Sequence, residues 1–203
     1  MSSLSGIHVL PMTRAPDDRG DGDAALVAAA QRDPQAFAHL YVRYVDPVYR
    51  YCYRCLVTRE TAEDATSLVF AKALAALPRY RADGPSFRSW LFAIAHNVIA
   101  DTYRAGHPTR SLDAATAVMD RSQDPEAAAL AADERSTVAA LLAGMPPDQR
   151  QVLELRLAGL TTAEIATALG RRPGAVRATQ FRAAARLRTL LGIAPHRKDI
   201  ADE

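Results

Sequence analysis

The sequence predicts an all-α protein in which a flexible linker joins two small helical domains, the C-terminal one a helix-turn-helix. Three observations predict this class. Apolar residues recur at three- and four-residue steps, alternating β-branched runs are absent, and alanine is abundant while glycine is sparse, with 10 residues in 203. A chain of this length can hold two domains of under about a hundred residues each.

The charge is distributed unevenly along the chain. The formal net charge is +2, but residues 136–195 carry eight basic and three acidic groups. Residues 106–135 carry three basic and six acidic groups. The charge is therefore sorted into a basic C-terminal end and an acidic connector.

Residues 1–22 show no helical periodicity and are predicted to be a flexible tail. They are polar and contain prolines, without the apolar run that a signal peptide or a membrane span requires. We therefore expect a cytoplasmic protein without membrane insertion.

Two helices are predicted directly after this tail. A short helix covers residues 24–31, and Asp33 and Pro34 form a start signal for a longer amphipathic helix. The apolar face of the longer helix is rich in tyrosine and is predicted to lie in the core. It consists of Phe37, Leu40, Tyr41, Tyr44, Val48 and Tyr51.

Cys52 and Cys55 form a C-x-x-C pair in this helix. The pair raises the question of a metal or redox site, but no second cysteine pair exists and His39 is the only nearby histidine. A lone pair is weak evidence for zinc. We expect two reduced thiols that pack as small hydrophobes, and no metal or other cofactor.

The third helix is predicted to begin at a capping box formed by Thr61 and Asp64. Its apolar residues lie on more than one face, so we expect another protein to cover part of it. These residues are Leu68, Val69, Phe70, Ala73, Leu74 and Leu77.

A loop is predicted over residues 79–86, and the helix that follows has two contrasting sides. We expect Trp90, on the apolar side, to pack in the core rather than to stack on a base. The polar side can hydrogen-bond to bases and phosphates, although a solvated face would have a similar composition. The apolar side holds Phe87, Trp90, Leu91, Ile94, Ala95, Val98 and Ile99, and the other side holds Ala93, Asn97, Ala100, Asp101 and Arg104.

The connector is followed by two predicted helix starts. Residues 106–124 are mostly polar or small and are predicted to be a linker. Asp124 and Pro125 are predicted to start a helix that ends near Leu142, and Pro147 is predicted to start the next one.

A helix-turn-helix is predicted over residues 160–188. Thr161 and Glu164 form a capping box for its first helix, and Gly170 suits the left-handed residue that ends that helix. Pro173 is suited to the first turn of the second helix. The predicted core-facing stripe of the second helix is Val176, Ala183, Leu187 and Leu190.

The exposed face of the second helix is strongly basic. Residues 171–188 carry six arginines and no acid, and the helix N-terminus adds free N–H groups, a combination that suits a phosphate backbone. Arg177, Gln180 and Phe181 lie early enough in the helix to reach base edges in the major groove. An arginine-rich solvated helix packed on a bundle is the alternative. The arginines are Arg171, Arg172, Arg177, Arg182, Arg186 and Arg188.

Three blocks, in this order and spacing, resemble a sigma-70-family factor of the extracytoplasmic-function (ECF) group. They are AEDATSLVFAKALAAL, FRSWLFAIAHNVIADTYR and LTTAEIATALGRRPGAVRATQFRAAARLR. The resemblance covers residues 23–192, and its most specific part lies in the second block, which the helix-turn-helix follows about sixty residues later. That part is Trp90, Leu91, Ile94, Ala95, Asn97, Asp101 and Arg104.

The resemblance implies a promoter-recognition subunit of bacterial RNA polymerase rather than an enzyme. Residues 23–105 would form a region 2-like domain that binds core polymerase and the melted minus-ten element. Residues 125–195 would form a region 4-like domain that reads the duplex minus-thirty-five element, and residues 196–203 a tail. In the family, the segment equivalent to the linker threads toward the polymerase active site. An anti-sigma factor is a further expected partner.

The resemblance also implies a contact surface for core polymerase on the third helix. The family commonly has glutamine and glutamate where this chain has Ser67 and Leu68, so the chain departs from the pattern there. The implied contact residues are Asp64, Ser67, Leu68, Phe70 and Lys72.

Two DNA-binding sets follow from the residues and the resemblance together. The loop over residues 80–86 is expected to receive a flipped base of the non-template strand, with Asn97 bonding a base edge and Arg88 and Arg104 holding the backbone. A second departure from the family is Arg172, where serine is a common N-cap. The melted-strand set is Tyr80, Arg81, Arg88, Asn97, Asp101 and Arg104, and the duplex set is Arg171, Arg172, Arg177, Gln180, Phe181 and Arg182.

Two other classes of function are weighed against this one. A stand-alone helix-turn-helix repressor or activator is the alternative, but such a regulator has no use for a melted-DNA face around Asn97 and Asp101. An enzyme is disfavoured because the sequence has no Gly-rich phosphate loop, no Ser-His-Asp order and no His-Glu metal cluster.

Overall fold

The structure is a computed structural model that describes residues 20–56, 58–105, 142 and 144–192, and no strand occurs among these residues. The predicted all-α class is confirmed. The predicted linker, both predicted tails and the helix predicted from Pro125 lie outside the described residues, apart from the ends at residues 20–22 and Leu142. The described helices are α1 (Gly20–Arg32), α2 (Phe37–Leu56), α3 (Arg59–Ala76), α4 (Phe87–Arg104), α5 (Pro147–Leu157), α6 (Thr162–Ala168) and α7 (Pro173–Leu190).

Helix α1 is longer than the predicted residues 24–31, and a polar cluster holds it on α2. The Tyr44 hydroxyl donates to the buried Asp23 carboxylate, and Arg43 Nε lies 3.3 Å from the other carboxylate oxygen as an ion pair without hydrogen-bond geometry. Burial, with Asp23 beside it, raises the pKa of Tyr44. The predicted start signal is confirmed, since Asp33 caps the 3-10 turn Pro34–Ala36 that leads into α2.

The predicted capping box at Thr61 and Asp64 is wrong. Helix α3 begins at Arg59, and its N-cap is Thr58, whose Oγ1 accepts from the Thr61 N–H at 3.3 Å. Thr58 has an extended backbone, with φ −97° and ψ 147°, which is the geometry of a residue that precedes a helix. Thr61 therefore lies in the first turn rather than before it.

Helix α4 begins where predicted and packs against α2, α3 and α6. Ser86 caps it by accepting from the Ser89 N–H at 3.2 Å. Most of the predicted apolar stripe is buried, while Trp90 and Ile94 are only partly covered. Phe92, which the predicted stripe omits, is fully buried, and its ring centroid lies 5.6 Å from that of Tyr51.

The helix-turn-helix forms as predicted from α6 and α7. The Thr161–Glu164 capping box is present in both directions. Gly170 has φ +61°, the left-handed geometry that favours glycine, and α7 begins at Pro173. One member of the predicted stripe is wrong: Leu190 is 48% exposed. It lies in the last turn of α7, past the described buried cluster at this end, which is Leu142, Met145 and Ala183 with Leu153 and Leu187 against it.

The helices α1–α4, here the N-terminal unit, pack against α5–α7, the C-terminal unit, and their apolar residues form one buried cluster. An ion pair crosses this boundary: Arg54 Nε lies 2.7 Å from Glu154 Oε2, and the Glu154 side chain is only 2% exposed. Arg54 also donates to the Glu154 carbonyl at 3.2 Å. Burial raises the pKa of Glu154, and the charge and hydrogen bond of Arg54 oppose that rise.

Both cysteine thiols are buried and free, as predicted. Burial raises the pKa of Cys52 to about 11 and raises that of Cys55 as well. In the part of the chain that the structure describes, no group of three or more metal-binding side chains occurs. Burial and the raised pKa values of the two thiols favour a packed, unreactive pair.

The first prediction concerns the ion pair between the units. Arg54→Ala leaves the Glu154 carboxylate buried without a partner, and we expect this to weaken the packed arrangement by about 3–5 kcal/mol at neutral pH. A carboxyl whose pKa is raised by burial favours the packed state at low pH, and that contribution is lost as pH rises through the raised pKa. Small-angle scattering should therefore show Arg54→Ala expanded at pH 8 and compact at about pH 4, close to the ordinary pKa of a glutamate.

Arg59→Ala is the matched control, because Arg59 Nε also lies 2.7 Å from a glutamate oxygen but in an exposed pair with Glu63. Such surface pairs contribute at most about 1 kcal/mol. Equal radii of gyration for the two variants at both pH values would contradict the prediction.

The second prediction concerns the thiols. At pH 8 the native protein should react with Ellman's reagent more than about a hundredfold more slowly than the unfolded chain in guanidinium, because burial keeps both thiols protonated. The chain contains only 2 cysteines, so the released thiolate reports on this pair alone. Rapid release of two equivalents from native protein would show that the pair is reactive.

Candidate nucleic-acid interface

The polar side of α4 is exposed, as the melted-strand prediction requires. Asn97 faces solvent, and Asp101 and Arg104 lie beyond it on the same side of the helix. Arg104 Nη2 donates to Asp101 Oδ1 at 2.6 Å. Lys72 of α3 lies 3.7 Å from the other Asp101 oxygen. Two cations therefore flank a carboxylate beside an exposed amide.

Arg88 does not belong to this surface. Nine residues separate it from Asn97, and at about 100° per residue the two side chains leave α4 on opposite sides. Arg88 faces the C-terminal unit instead, where Nη2 donates to the Ala158 carbonyl at 2.9 Å and Nη1 lies 4.0 Å from Glu164. Glycine suits position 159 beside this contact for two reasons. A Cβ there would lie 2.8 Å from Arg88 Nη2, and the φ of +84° is one that other residues rarely adopt.

The contact of Arg88 with the DNA backbone stays a prediction, but here its partners lie 70 residues or more further along the chain. Sequence spacing carries no signal for such a contact. His96 lies on the same boundary, with its Nε2 3.0 Å from Gln151 Nε2. Burial, and then the charge of Arg171, lower the pKa of His96.

The loop between α3 and α4 is held in place by Tyr80. The Tyr80 ring packs against Trp90, with 5.0 Å between centroids, and against Phe87 at 5.9 Å. Its hydroxyl donates to the Pro85 carbonyl at 2.7 Å, which links the two ends of the loop. Arg81 is exposed at the loop surface, 3.5 Å from Asp83. Tyr80 thus organises the loop. Trp90 packs against the core but is only partly buried.

Four of the five residues predicted to contact polymerase share one exposed face of α3. Phe70 is the exception: it is 5% exposed and packs against the rings of Phe37 and Tyr41. The Phe70 side chain points toward α2 and packs in the α2–α3 interface. It therefore lies beneath the exposed face of α3. The exposed four are Asp64, Ser67, Leu68 and Lys72.

The N-terminal half of α7 presents the residues predicted to read duplex DNA. Arg177 is exposed, and Phe181, one turn later, is 70% exposed. Gln180 lies between them, and its Oε1 accepts from the Thr162 hydroxyl at 3.2 Å. Thr162 therefore orients Gln180 from the first helix of the motif, through a contact between residues 18 positions apart.

The other predicted arginines divide between two sides of the motif. Arg171 and Arg172 precede α7 and are exposed at its N-terminus. Arg182 lies about 140° around the helix from Arg177, where it donates to Thr179 at 3.1 Å and lies 3.8 Å from Asp148. Arg182 is thus turned toward α5 rather than alongside Arg177.

No described helix is long and apolar enough to cross a membrane.

Two family models match the chain. Residues 40–107 match sigma-70 region 2, and residues 135–187 match sigma-70 region 4. The first match contains α3 and α4, and the second contains α5, α6 and most of α7. Because both regions match, and not the helix-turn-helix alone, the findings favour a sigma factor over a stand-alone regulator.

Several relatives carry the name of ECF RNA polymerase sigma factor. The chain is 38% identical to ShbA of Streptomyces griseus, over 86% of this chain and 97% of the relative. It is 34% identical to BldN of Streptomyces coelicolor, over 84% of this chain and 68% of the relative. It is 36% identical to SigD of Mycobacterium tuberculosis, over 82% of each.

Solved structures share the fold. CnrH, in complex with the cytosolic domain of CnrY, has a TM-score of 0.68 at 28% identity, covering 86% of this chain and 100% of that one. RpoE of Bartonella quintana, in complex with the anti-sigma factor NepR, has a TM-score of 0.60 at 19% identity, covering 78% and 98%. With both regions matched and relatives aligned over most of their length, the chain belongs to the ECF group of sigma-70-family RNA polymerase sigma factors.

Proposed function

We propose that this sigma factor divides promoter recognition between two surfaces of one chain. The exposed side of α4, with the loop before it, binds the unpaired minus-ten strand, and the N-terminal half of α7 reads the minus-thirty-five duplex. The observation that carries the proposal is the exposed Asn97 between a tethered loop and the Asp101–Arg104 pair, in the same chain as a basic helix-turn-helix.

Opening a duplex without ATP requires the protein to hold unpaired bases more strongly than the duplex does, and unstacking costs a few kcal/mol per step. The loop between Tyr80 and Ser86 offers a place for one such base. Trp90, which is only partly buried, packs against the loop residue Tyr80, and aromatic rings bind unpaired nucleobases by stacking. The sequence pattern assigns Trp90 and Asn97 to different sides of α4, but Asn97 follows Trp90 by two turns and lies only about 20° around the helix from it. Its amide is therefore available for the base edge.

The cations on and beside the exposed side of α4 bind the phosphates of the melted strand. Arg104 and Lys72 are exposed on either side of Asp101, and Arg81 is exposed on the loop. Asp101 keeps the two flanking cations in place, because each is within ion-pair distance of it. Arg88 is left out of this set, since it is engaged with the C-terminal unit.

The exposed face of α3 is the proposed contact with core RNA polymerase. Leu68 and Leu74 are 45% and 42% exposed, and a partner that covers this helix would bury apolar surface of both. CnrH and RpoE of Bartonella quintana were solved with partner proteins, the latter with an anti-sigma factor. We propose an anti-sigma partner for this chain as well, and action in the cytoplasm, where transcription takes place.

Run-off transcription tests the proposal directly. Purified full-length protein is added to bacterial core RNA polymerase with a promoter library, and specific initiation that depends on the protein is expected. Retention of core polymerase on the immobilised protein should accompany it. Duplex binding without polymerase retention or initiation would instead indicate a stand-alone regulator.

The third prediction separates the two DNA surfaces. Asn97→Ala should weaken initiation on a duplex promoter and stay defective on a pre-melted bubble template, because a bubble removes the cost of unpairing but keeps the contacts to exposed bases. Arg177→Ala should lose about 1–3 kcal/mol of binding to duplex upstream DNA if it reads a base. Initiation rates on both templates and a duplex binding titration measure these effects.

Arg188→Ala provides the control for α7, since Arg188 is exposed on the same helix but near its C-terminal end. It should reduce duplex binding less than Arg177→Ala. Full recovery of Asn97→Ala on the bubble would mean that Asn97 assists opening and not base recognition. Wild-type behaviour of both Asn97→Ala and Arg177→Ala on both templates would contradict the assigned surfaces.

A further inference from the structure

Gln31, near the end of α1, holds the entrance of the loop that precedes α4. Its Nε2 donates to the Leu77 carbonyl at 3.0 Å and to the Tyr80 carbonyl at 2.8 Å. These carbonyls belong to the 3-10 turn Leu77–Arg79, which follows α3, and to the first loop residue. One side chain therefore binds two backbone groups 46 and 49 residues away in the chain.

The chemistry of this contact requires a hydrogen-bond donor, which the amide nitrogen of Gln31 supplies. Both partners are carbonyl oxygens, which only accept hydrogen bonds, and a carboxamide NH2 group has two N–H donors. The Leu77 carbonyl also accepts from the Tyr80 N–H at 3.1 Å within the 3-10 turn. Gln31 adds a second donor to this carbonyl and joins it to the Tyr80 carbonyl, which orders the chain at that point. A carboxylate of the same shape offers no donor and would repel both oxygens.

Helix α1 is itself firmly placed, so that Gln31 can act as a fixed support. The buried Asp23 carboxylate accepts from Tyr44 of α2, and the Tyr44 ring lies 5.6 Å from that of Phe87 at the start of α4. Gln31 is thus attached to the same framework that carries α4. Through it, the loop is tied to α1 as well as to the helices on either side.

Tyr80 connects the Gln31 contact to the far end of the loop. Its carbonyl is held by Gln31, its ring by Trp90 and its hydroxyl by the Pro85 carbonyl at 2.7 Å. These contacts set the path of the loop before any DNA arrives. A loop ordered in advance loses less conformational entropy on binding, which raises affinity without a new contact to the ligand.

We infer that Gln31 is a positioning residue for base capture by the loop between Tyr80 and Ser86. It acts through Tyr80 and touches no DNA. The inference rests on the proposed function of this loop, and it assigns to α1, which precedes the match to sigma-70 region 2 at residues 40–107, a part in promoter opening.

The fourth prediction tests this role in the complete holoenzyme, formed from core polymerase and full-length protein. The probe is a labelled single strand that carries the non-template minus-ten sequence of a promoter found by run-off transcription. A second set of strands has one abasic site at each position in turn. The ratio of affinities for the intact and abasic strand reports capture of the base, and a general loss of stability does not change this ratio selectively.

Wild-type holoenzyme should prefer the intact strand at one position. Gln31→Ala should reduce that preference roughly three- to tenfold, as expected for the loss of one or two hydrogen bonds, and Gln31→Glu should reduce it at least as much. Gln35→Glu is the matched control. Gln35 is exposed and lies four residues from Gln31, and its substitution by glutamate adds the same charge as Gln31→Glu. It should keep the wild-type ratio, and all variants should keep their affinity for core polymerase.

The outcomes separate this inference from the function on which it rests. An unchanged ratio in Gln31→Ala and Gln31→Glu, with a clear preference in wild type, would overturn the role of Gln31 alone. An equal loss in Gln35→Glu and Gln31→Glu would also overturn it, since charge and not position would then explain the effect. No preference at any position in wild-type holoenzyme would overturn base capture by this loop and the inference together.

Discussion

Burial of the apolar side of α4 is the interaction on which the rest of this structure depends. Leu91, Ala95 and Val98 are fully buried, on a helix that packs against α2, α3 and α6, and each buried apolar side chain of leucine size contributes about 1.5–3 kcal/mol. Because a helix is rigid, burial of one side fixes the direction of every other. Asn97 and Asp101 are turned to solvent for this reason, and not through contacts of their own with the core.

The same helix also carries the boundary with the C-terminal unit. Arg88 and His96 face that unit. Arg88 contacts the Ala158 carbonyl and Glu164, and His96 contacts Gln151. The buried Arg54–Glu154 pair lies on the same boundary, and a buried ion pair favours one arrangement because any other leaves a charge unpaired. The orientation of the two units is thus determined by a few charged contacts within a continuous apolar cluster.

The proposed DNA surfaces are supported from behind by residues that do not reach the DNA. Thr162 orients Gln180 from the first helix of the helix-turn-helix motif, and Phe70 lies beneath the exposed face of α3. Tyr80 organises the loop at the start of α4. In each case a reactive or recognising group is exposed on a regular element, while a packed neighbour holds its geometry.

The sequence by itself determined the helical class, the start of α4 and the caps and turn of the helix-turn-helix, because caps, proline and glycine signals act within a few residues. It also placed Asn97 and Arg177 on exposed faces through helical period alone. Only the tertiary structure decided that Arg88 serves the unit boundary, that Phe70 is buried, and that Gln31 supports a loop 49 residues away. These contacts join distant parts of the chain, and the local pattern of residues contains no information about which distant groups they meet.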